Sequence, residues 1–323
     1  MSKVLITTVP FGDKSRLPLD ILKDNNIEYL INPLNKKLTE NELVEMIDNF
    51  DCIIAGTELI TKKVMDAASN LKMISRVGIG LDSVDLLEAE KHGIVVSYTP
   101  DAPAPAVAEL TIGLMLTLLR SVQLSNLEMH YGKWHRFFGR RLSEVTIGII
   151  GIGRIGTGVL RHLRGFGLPK ILVNDIRHGD VLDVEWVDKE TIYLQADIIT
   201  IHTPLNAQTK NMIRKEQLLS MKEDAIIINT ARGGIINEQD LYEVMKAGHL
   251  NGAAIDVFDM EPYNGNLREI QRCILTAHMG SMSVDCRTKM EIEATEEVIR
   301  FLTSQQLEGM VPEEEYTVQR EGL

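Results

Sequence analysis

Arg232, Glu261 and His278 each stand just beyond a short, strongly apolar run in the last third of the chain. The runs are residues 226–229, 253–255 and 274–276, and they lead into Thr230-Ala-Arg-Gly-Gly234, Asp256-Val-Phe-Asp-Met-Glu-Pro262 and Ala277-His-Met-Gly280. An arginine offers a planar fork of donors that can bind a carbonyl oxygen and a neighbouring carboxylate together. A histidine can give or take a proton near neutral pH. A carboxylate bonded to its ring orients the imidazole and favours its charged form. Together the three suit carbonyl reduction: hydride reaches carbon, negative charge grows on oxygen, the arginine stabilises that charge and the histidine protonates it. Singly, each has a commoner explanation, as a surface ion pair, a loop histidine or a turn. Their joint placement at the ends of successive apolar runs is the signal.

A hydride needs a donor, and the middle of the chain carries a pattern that would hold one. An apolar, β-branched run over 145–150 ends in Gly151-x-Gly153-x-x-Gly156. A helical pattern over 157–166 stops at Gly167, and a second apolar run over 171–175 ends in Asp175. This is the order of a dinucleotide fingerprint, whose acid follows the glycines by about 20 residues. Gly151 permits the tight turn, Gly153 lets backbone approach a pyrophosphate, and Gly156 lets helix pack on strand. The helix start then offers free N–H groups and a positive dipole end. Asp175 can accept from a ribose 2′-OH and would repel a 2′-phosphate, which favours NAD over NADP, with Arg177 two residues on as the counterweight. Ligands of open parallel sheets bind beyond the carboxyl ends of the strands. His202, Thr203 and Pro204, which follow the run 198–201, fall on that same edge, as do Thr230 and Asp256.

The elements that must position these residues show a regular order. Residues 1–99 alternate strand patterns (4–8, 27–31, 52–55, 73–77, 94–98) with helical ones. One of these, 39–49, opens on Thr39 with Glu42 three residues later, a capping box. The later half repeats the alternation, with strands at 197–201, 225–229, 252–256 and 273–276 and a helix over 237–247. Such alternation predicts α/β architecture with two doubly wound parallel sheets. Thr99-Pro-Asp-Ala-Pro-Ala-Pro105 reads as the junction between two domains. An apolar helix over 106–124 follows it, a helix over 284–302 leads back towards the first domain, and the acidic tail from Glu308 reads as a surface segment.

At 323 residues the chain is long enough for two domains. Its net charge of −12 weighs against nucleic acid or an anionic membrane as partner. No apolar run reaches the roughly 18 residues of a membrane span. Cys52, Cys273 and Cys286 have neither disulfide-framework nor metal spacing, so no metal is expected and a reducing, cytoplasmic setting is. The N-terminus opens directly on a strand and shows no signal-peptide pattern.

The motifs around Arg232, Glu261 and His278 resemble signatures of the D-isomer-specific 2-hydroxyacid dehydrogenases. The resemblance extends to Gly78-Ile-Gly-Leu-Asp82, Val107-Ala-Glu109, Gly132-Lys-Trp-His-Arg136 and the glycine fingerprint, in the family's order and over nearly the whole chain. It implies a flavodoxin-like substrate domain, residues 1–101 and 288–323, with a Rossmann-type NAD domain, 102–287, inserted into it. It implies that Arg232 binds the substrate's carboxylate and carbonyl oxygen, that His278 is the acid/base and that Glu261 is its partner. Backbone N–H groups of Val77 and Gly78 would hold the substrate carboxylate, and Asp256 would lie near the nicotinamide carboxamide. Arg154, Ile155, Asp175, Thr203 and Thr230 would line the cofactor, with His202, Pro204, Ala231 and Gly280 beside them. The family includes phosphoglycerate dehydrogenases and glyoxylate or hydroxypyruvate reductases, so the expected partner is a small 2-hydroxy or 2-oxo acid. The chain resembles those phosphoglycerate dehydrogenases that lack a regulatory domain. Arg76, with Arg136, is a candidate for a substrate phosphate or for a surface ion pair. Ser83 replaces the family's usual asparagine, and Thr276-Ala-His278 its usual Thr-Pro-His, departures that bear on the substrate. The expected assembly is a homodimer through the NAD domain. A reading of another class is a dinucleotide-sensing binding protein like the C-terminal-binding-protein corepressors, which share this fold.

Overall fold

The computed structural model describes residues 2–167, 169–179 and 181–320. It divides into two compact units, Met1–Pro103 with Met282–Leu323, and Ala104–Ser281.

The first unit begins with β1 (Lys3–Ile6), α1 (Leu17–Asp24), β2 (Glu28–Ile31), α2 (Glu40–Met46), β3 (Cys52–Ala55), α3 (Lys62–Asp66), β4 (Met73–Arg76), α4 (Leu86–Lys91) and β5 (Val95–Tyr98). The strands pair in parallel in the order β2-β1-β3-β4-β5, the flavodoxin-like arrangement. β3 and β4 are buried along their whole length, as central strands covered on both faces must be, while the edge strand β2 alternates towards solvent. The capping box before α2 forms: Thr39 Oγ1 accepts from the Glu42 N–H at 3.3 Å and Glu42 accepts from the Thr39 N–H at 2.9 Å.

The second unit contains α5 (Ala104–Leu119), α6 (Val122–His130), β6 (Thr146–Ile150), α7 (Arg154–Arg164), β7 (Lys170–Asn174), β8 (Glu185–Trp186), α8 (Lys189–Gln195), β9 (Ile198–Ile201), α9 (Lys215–Ser220), β10 (Ile226–Asn229), α10 (Glu238–Lys246), β11 (Gly252–Ile255) and β12 (Cys273–Leu275). Its seven strands run parallel in the order β12-β11-β10-β9-β6-β7-β8. Winding starts at β6, goes outward to β8, then returns to β9 on the other side, so the switch point lies between β6 and β9. One face is packed by α5 and α7, with Ala108, Met115, Val159 and Leu163 buried against Ile147, Ile149 and Ile228. The other is packed by α8, α9 and α10 around Ile199, Ile227 and Leu241.

The chain then returns to the first unit as α11 (Val284–Leu302) and α12 (Glu313–Arg320). α11 buries Met290, Ala294 and Val298 in the core that holds Ile54 and Met73.

The structure departs from the sequence reading in three places. The predicted helix over 106–124 is two helices, bent by 64° at Ser121, whose φ is +50°. The Leu119 carbonyl, which a longer helix would satisfy internally, instead accepts from the Arg140 N–H at 3.1 Å. The tail is not merely a surface segment: Met310 bridges Ser97, Val311 is buried, and α12 lies on α4, where the Gln319 side chain accepts from the Leu86 N–H at 2.9 Å. The junctions expected at 101/102 and 287/288 fall at 103/104 and 281/282, because Ser283 caps α11 and the whole helix packs in the first unit.

Candidate active site

The glycine turn sits at the switch point of the second unit. Gly151 has φ +94°, and an added Cβ there would lie 2.5 Å from the His202 carbonyl oxygen on the β9 side. A Cβ on Gly156 would lie 2.1 Å from the Gly151 carbonyl oxygen, so α7 can approach β6 only with glycine at that position. Gly153 differs: a Cβ there would meet nothing within 4 Å. Gly153 is also the N-cap of α7 and offers the helix no side-chain cap. Open space in front of an uncapped helix start is what a pyrophosphate needs. Arg154 and Ile155 form the first turn of that helix.

Two further observations fit a dinucleotide on this edge. Asp175 accepts from the Ile152 N–H at 2.7 Å and from the Arg177 N–H at 2.9 Å, one bond to each oxygen. The acid therefore ties the glycine turn to the end of β7, and each oxygen keeps a lone pair for a ribose hydroxyl. Beyond β9, His202 Nδ1 and Thr203 Oγ1 are buried with no partner among the described residues. Burial holds the His202 ring neutral, its pKa pushed down to about 3, while its Nε2 lies 2.9 Å from Thr200 Oγ1. Unsatisfied buried polar atoms are costly in a finished fold, and a bound ligand can satisfy them. Pro204 beside them is exposed. Thr230 and Ala231, at the end of β10, are buried, and Thr230 Oγ1 lies 3.0 Å from Thr111 Oγ1 on α5.

The two residues expected to form the acid–base pair come together. His278 Nδ1 is 3.0 Å from both carboxylate oxygens of Glu261. That contact places the ring proton on Nδ1 and leaves Nε2 for chemistry. His278 has φ +48°, a left-handed conformation that costs a non-glycine residue roughly 1–2 kcal/mol. The turn is held by Asp256. Its carboxylate accepts from Thr276 Oγ1 at 2.6 Å and from the N–H groups of Met279 and Gly280, both at 2.9 Å, while its carbonyl accepts from the His278 N–H at 2.8 Å. Asp256, expected beside the nicotinamide carboxamide, thus has four bonds directed at the His278 turn.

Arg232 sits on a turn shaped by Asn229, whose side chain accepts from the Ala231 N–H at 3.0 Å and donates to the Arg232 carbonyl at 2.7 Å. The arginine turn and the Glu261 loop touch face to face: a Cβ on Gly233 would lie 2.0 Å from the Phe258 carbonyl carbon. Asn229 and Gly233 escaped the sequence reading because their work is on neighbouring backbone, and Thr276 because its partner, the Asp256 carboxylate, lies 20 residues away. The Gly233-Gly234 pair was the one available hint of a close approach.

Val77 and Gly78 lie in the first unit. The Val77 N–H donates to the Ala55 carbonyl at 2.9 Å, continuing the β3–β4 ladder, and the Gly78 N–H donates to Thr99 Oγ1 at 2.8 Å. The two N–H groups expected at a substrate carboxylate thus bond within the first unit. Arg76 is not a surface ion pair: it is 4% exposed and donates to the Val77 carbonyl at 2.7 Å. Arg136, in the second unit, is exposed.

The chain is similar to known proteins in both sequence and fold. Residues 112–280 match the D-isomer specific 2-hydroxyacid dehydrogenase, NAD binding domain. The chain is 35% identical over 275 residues to a hydroxypyruvate reductase of Thermotoga maritima, covering 83% of this chain and 90% of that one. It is 37% identical over 283 residues to a D-3-phosphoglycerate dehydrogenase of Methanocaldococcus jannaschii, covering 85% of this chain but spanning only 54% of the relative. Among solved structures, the TT0316 protein of Thermus thermophilus superimposes with a TM-score of 0.88 at 30% identity, covering 96% of this chain and all of that one.

Proposed function

The chain belongs to the D-isomer-specific 2-hydroxyacid dehydrogenases, and from that premise we propose that it reduces a small 2-oxo acid to the D-2-hydroxy acid, and the reverse, with NAD. NAD, when bound, supplies or accepts the hydride. The glycine turn, the start of α7 and Asp175 would hold it, with His202 and Thr203 offering their unpartnered polar atoms. Arg232 binds the substrate carboxylate and the carbonyl oxygen, where charge grows during reduction. His278 gives that oxygen a proton from Nε2, and Glu261 stabilises the imidazolium before transfer. The observation that carries this reading is the symmetric 3.0 Å contact of both Glu261 oxygens with His278 Nδ1.

Two substrate classes fit: 3-phosphoglycerate or a related acid, and a glyoxylate or hydroxypyruvate pair. The test is a panel of glyoxylate, hydroxypyruvate, pyruvate and 3-phosphohydroxypyruvate with NADH, followed by loss of nicotinamide absorbance. Turnover with one or more is expected. NADH binding without turnover of any of them would instead support a dinucleotide-sensing binding protein.

A homodimer through the second unit is also proposed. α6 buries none of its residues, and Tyr131, Trp134 and Phe138 beyond it are 75%, 80% and 103% exposed. Such a stretch of apolar surface is usually covered. Three buried, unpaired cysteines, with the Cys52 and Cys273 thiols pushed up to about 12 by burial, support a reducing compartment such as the cytoplasm.

A further inference from the structure

We propose that Glu238, at the start of α10, is a positioning residue of the acid–base pair, holding the loop that presents Glu261 to His278 and placing a second negative charge behind that loop. The inference rests on the reading of His278 and Glu261 given above.

Glu238 follows Asn237, whose side chain already caps α10 by accepting from the Asp240 N–H at 3.0 Å. The Glu238 carboxylate is therefore not needed as a cap, and it turns instead to the next loop, accepting from the Asp259 N–H at 2.8 Å. That loop is pinned at three successive points. Gly233 packs on Phe258 so closely that a Cβ would lie 2.0 Å from its carbonyl carbon. The Phe258 N–H donates to Glu261 Oε1 at 3.2 Å, and the Asp259 N–H donates to Glu238. Two residues later Glu261 reaches His278. Glu238 thus joins the helix that follows the arginine turn to the loop that carries the histidine's partner. Without it, Asp259 loses its acceptor and the loop is held on one side only.

Charge acts in the same direction. Burial and the charges of Asp259 and Glu261 hold the Glu238 carboxyl above the usual carboxylate range, against the Asp259 N–H, which stabilises its charged form. Tyr263 also faces it from the loop. On α10 itself lies Asp240, bound to the Lys215 N–H of α9 at 2.9 Å. The turn Asn266–Glu269 meets the helix through Glu269 and Tyr242. Glu238 and Glu261 thus lie near enough for their charges to act on one another across the loop.

Two variants separate these roles. Glu238→Ala removes both the acceptor and the charge; Glu238→Gln keeps an acceptor and removes the charge. Glu238→Ala should lower kcat for reduction by about 10- to 100-fold, the scale of a displacement near 1 Å, with NADH affinity and Tm close to the parent's. Glu238→Gln should recover most of that loss at low pH, while the alkaline limb of its kcat profile moves to lower pH. Parent kcat and pH profile in Glu238→Ala would overturn the proposal, as would a Gln variant no better than Ala. Glu261→Gln is measured beside them. If its profile superimposes on the parent's, the acid–base reading itself fails; if it shifts while both Glu238 variants match the parent, only the present inference fails.

Discussion

Three fingerprint glycines occupy different physical situations, and substituting two of them should separate structure from binding. At Gly156 a Cβ would lie 2.1 Å from the Gly151 carbonyl oxygen. Ordinary contact is about 3.5 Å, so α7 must retreat from β6 by about 1.4 Å. Overpacking of this kind costs about 1–3 kcal/mol, offset in part by the roughly 0.5–1 kcal/mol that alanine gains over glycine inside a helix. Gly156→Ala should therefore lose about 1–2 kcal/mol, which for a domain of this size lowers Tm by about 2–8 °C. At Gly153 a Cβ meets no atom within 4 Å, and φ −70° with ψ −154° is extended backbone that alanine adopts without strain. Gly153→Ala should keep the parent's Tm. Its methyl group would stand where a pyrophosphate must approach, so NADH affinity should fall at least about tenfold, or about 1.4 kcal/mol. Thermal melts and NADH fluorescence titrations of both variants decide the matter. Parent-like NADH affinity in Gly153→Ala would show that the dinucleotide does not lie over this turn. Parent-like Tm in Gly156→Ala would show that the helix–strand contact does not set the stability of the unit.

Other outcomes follow from single side chains. NADH should be preferred over NADPH by kcat/KM, and Asp175→Ala should narrow the gap while raising KM for NADH, since Ile152 and Arg177 lose their acceptor; equal use of both cofactors by the parent would refute the role of the acid. Arg232→Lys should lower kcat/KM for the 2-oxo acid severely, because an ammonium cannot reproduce the bidentate fork; unchanged kcat/KM would remove Arg232 from the site. His202 contributes a pH dependence of stability whose sign is fixed by its lowered pKa of about 3. Between pH 3 and about 6.5 the unfolded chain binds the extra proton, so this contribution is complete above about 6.5 and is lost as pH falls, at up to about 1.4 kcal/mol per unit. His202→Gln should lose up to about 2 kcal/mol less than the parent between pH 6.5 and 5 in urea titrations; part of the residue lies at the surface, which makes this an upper value, and equal losses would refute it. Light scattering at micromolar concentration should report a dimer, and Trp134→Ala with Phe138→Ala should weaken it; a parent monomer would refute the proposed interface.

The two parallel sheets, the glycine turn and the loops bearing Arg232, Glu261 and His278 were legible in the sequence because their causes are local. Apolar runs such as Ile226, Ile227 and Ile228 can be buried on both faces, and the glycine spacing with Asp175 encodes a turn, a helix start and a strand end within one βαβ unit. Other features depend on groups distant in sequence. No local pattern says that the Leu119 carbonyl is taken by the Arg140 N–H, so the bend at Ser121 stayed hidden inside an apolar stretch. No local pattern says that the Val77 N–H meets the Ala55 carbonyl or that the Gly78 N–H meets Thr99 Oγ1. Asp256 was visible as an acid at a strand end, but its bonds to Thr276, Met279 and Gly280, and so its hold on the His278 turn, exist only once β11 and β12 lie side by side. Sequence chooses which residues can turn, cap or be buried. Which donor meets which acceptor is decided when distant strands pair, because a hydrogen bond depends on a few tenths of an ångström that no spacing along the chain encodes.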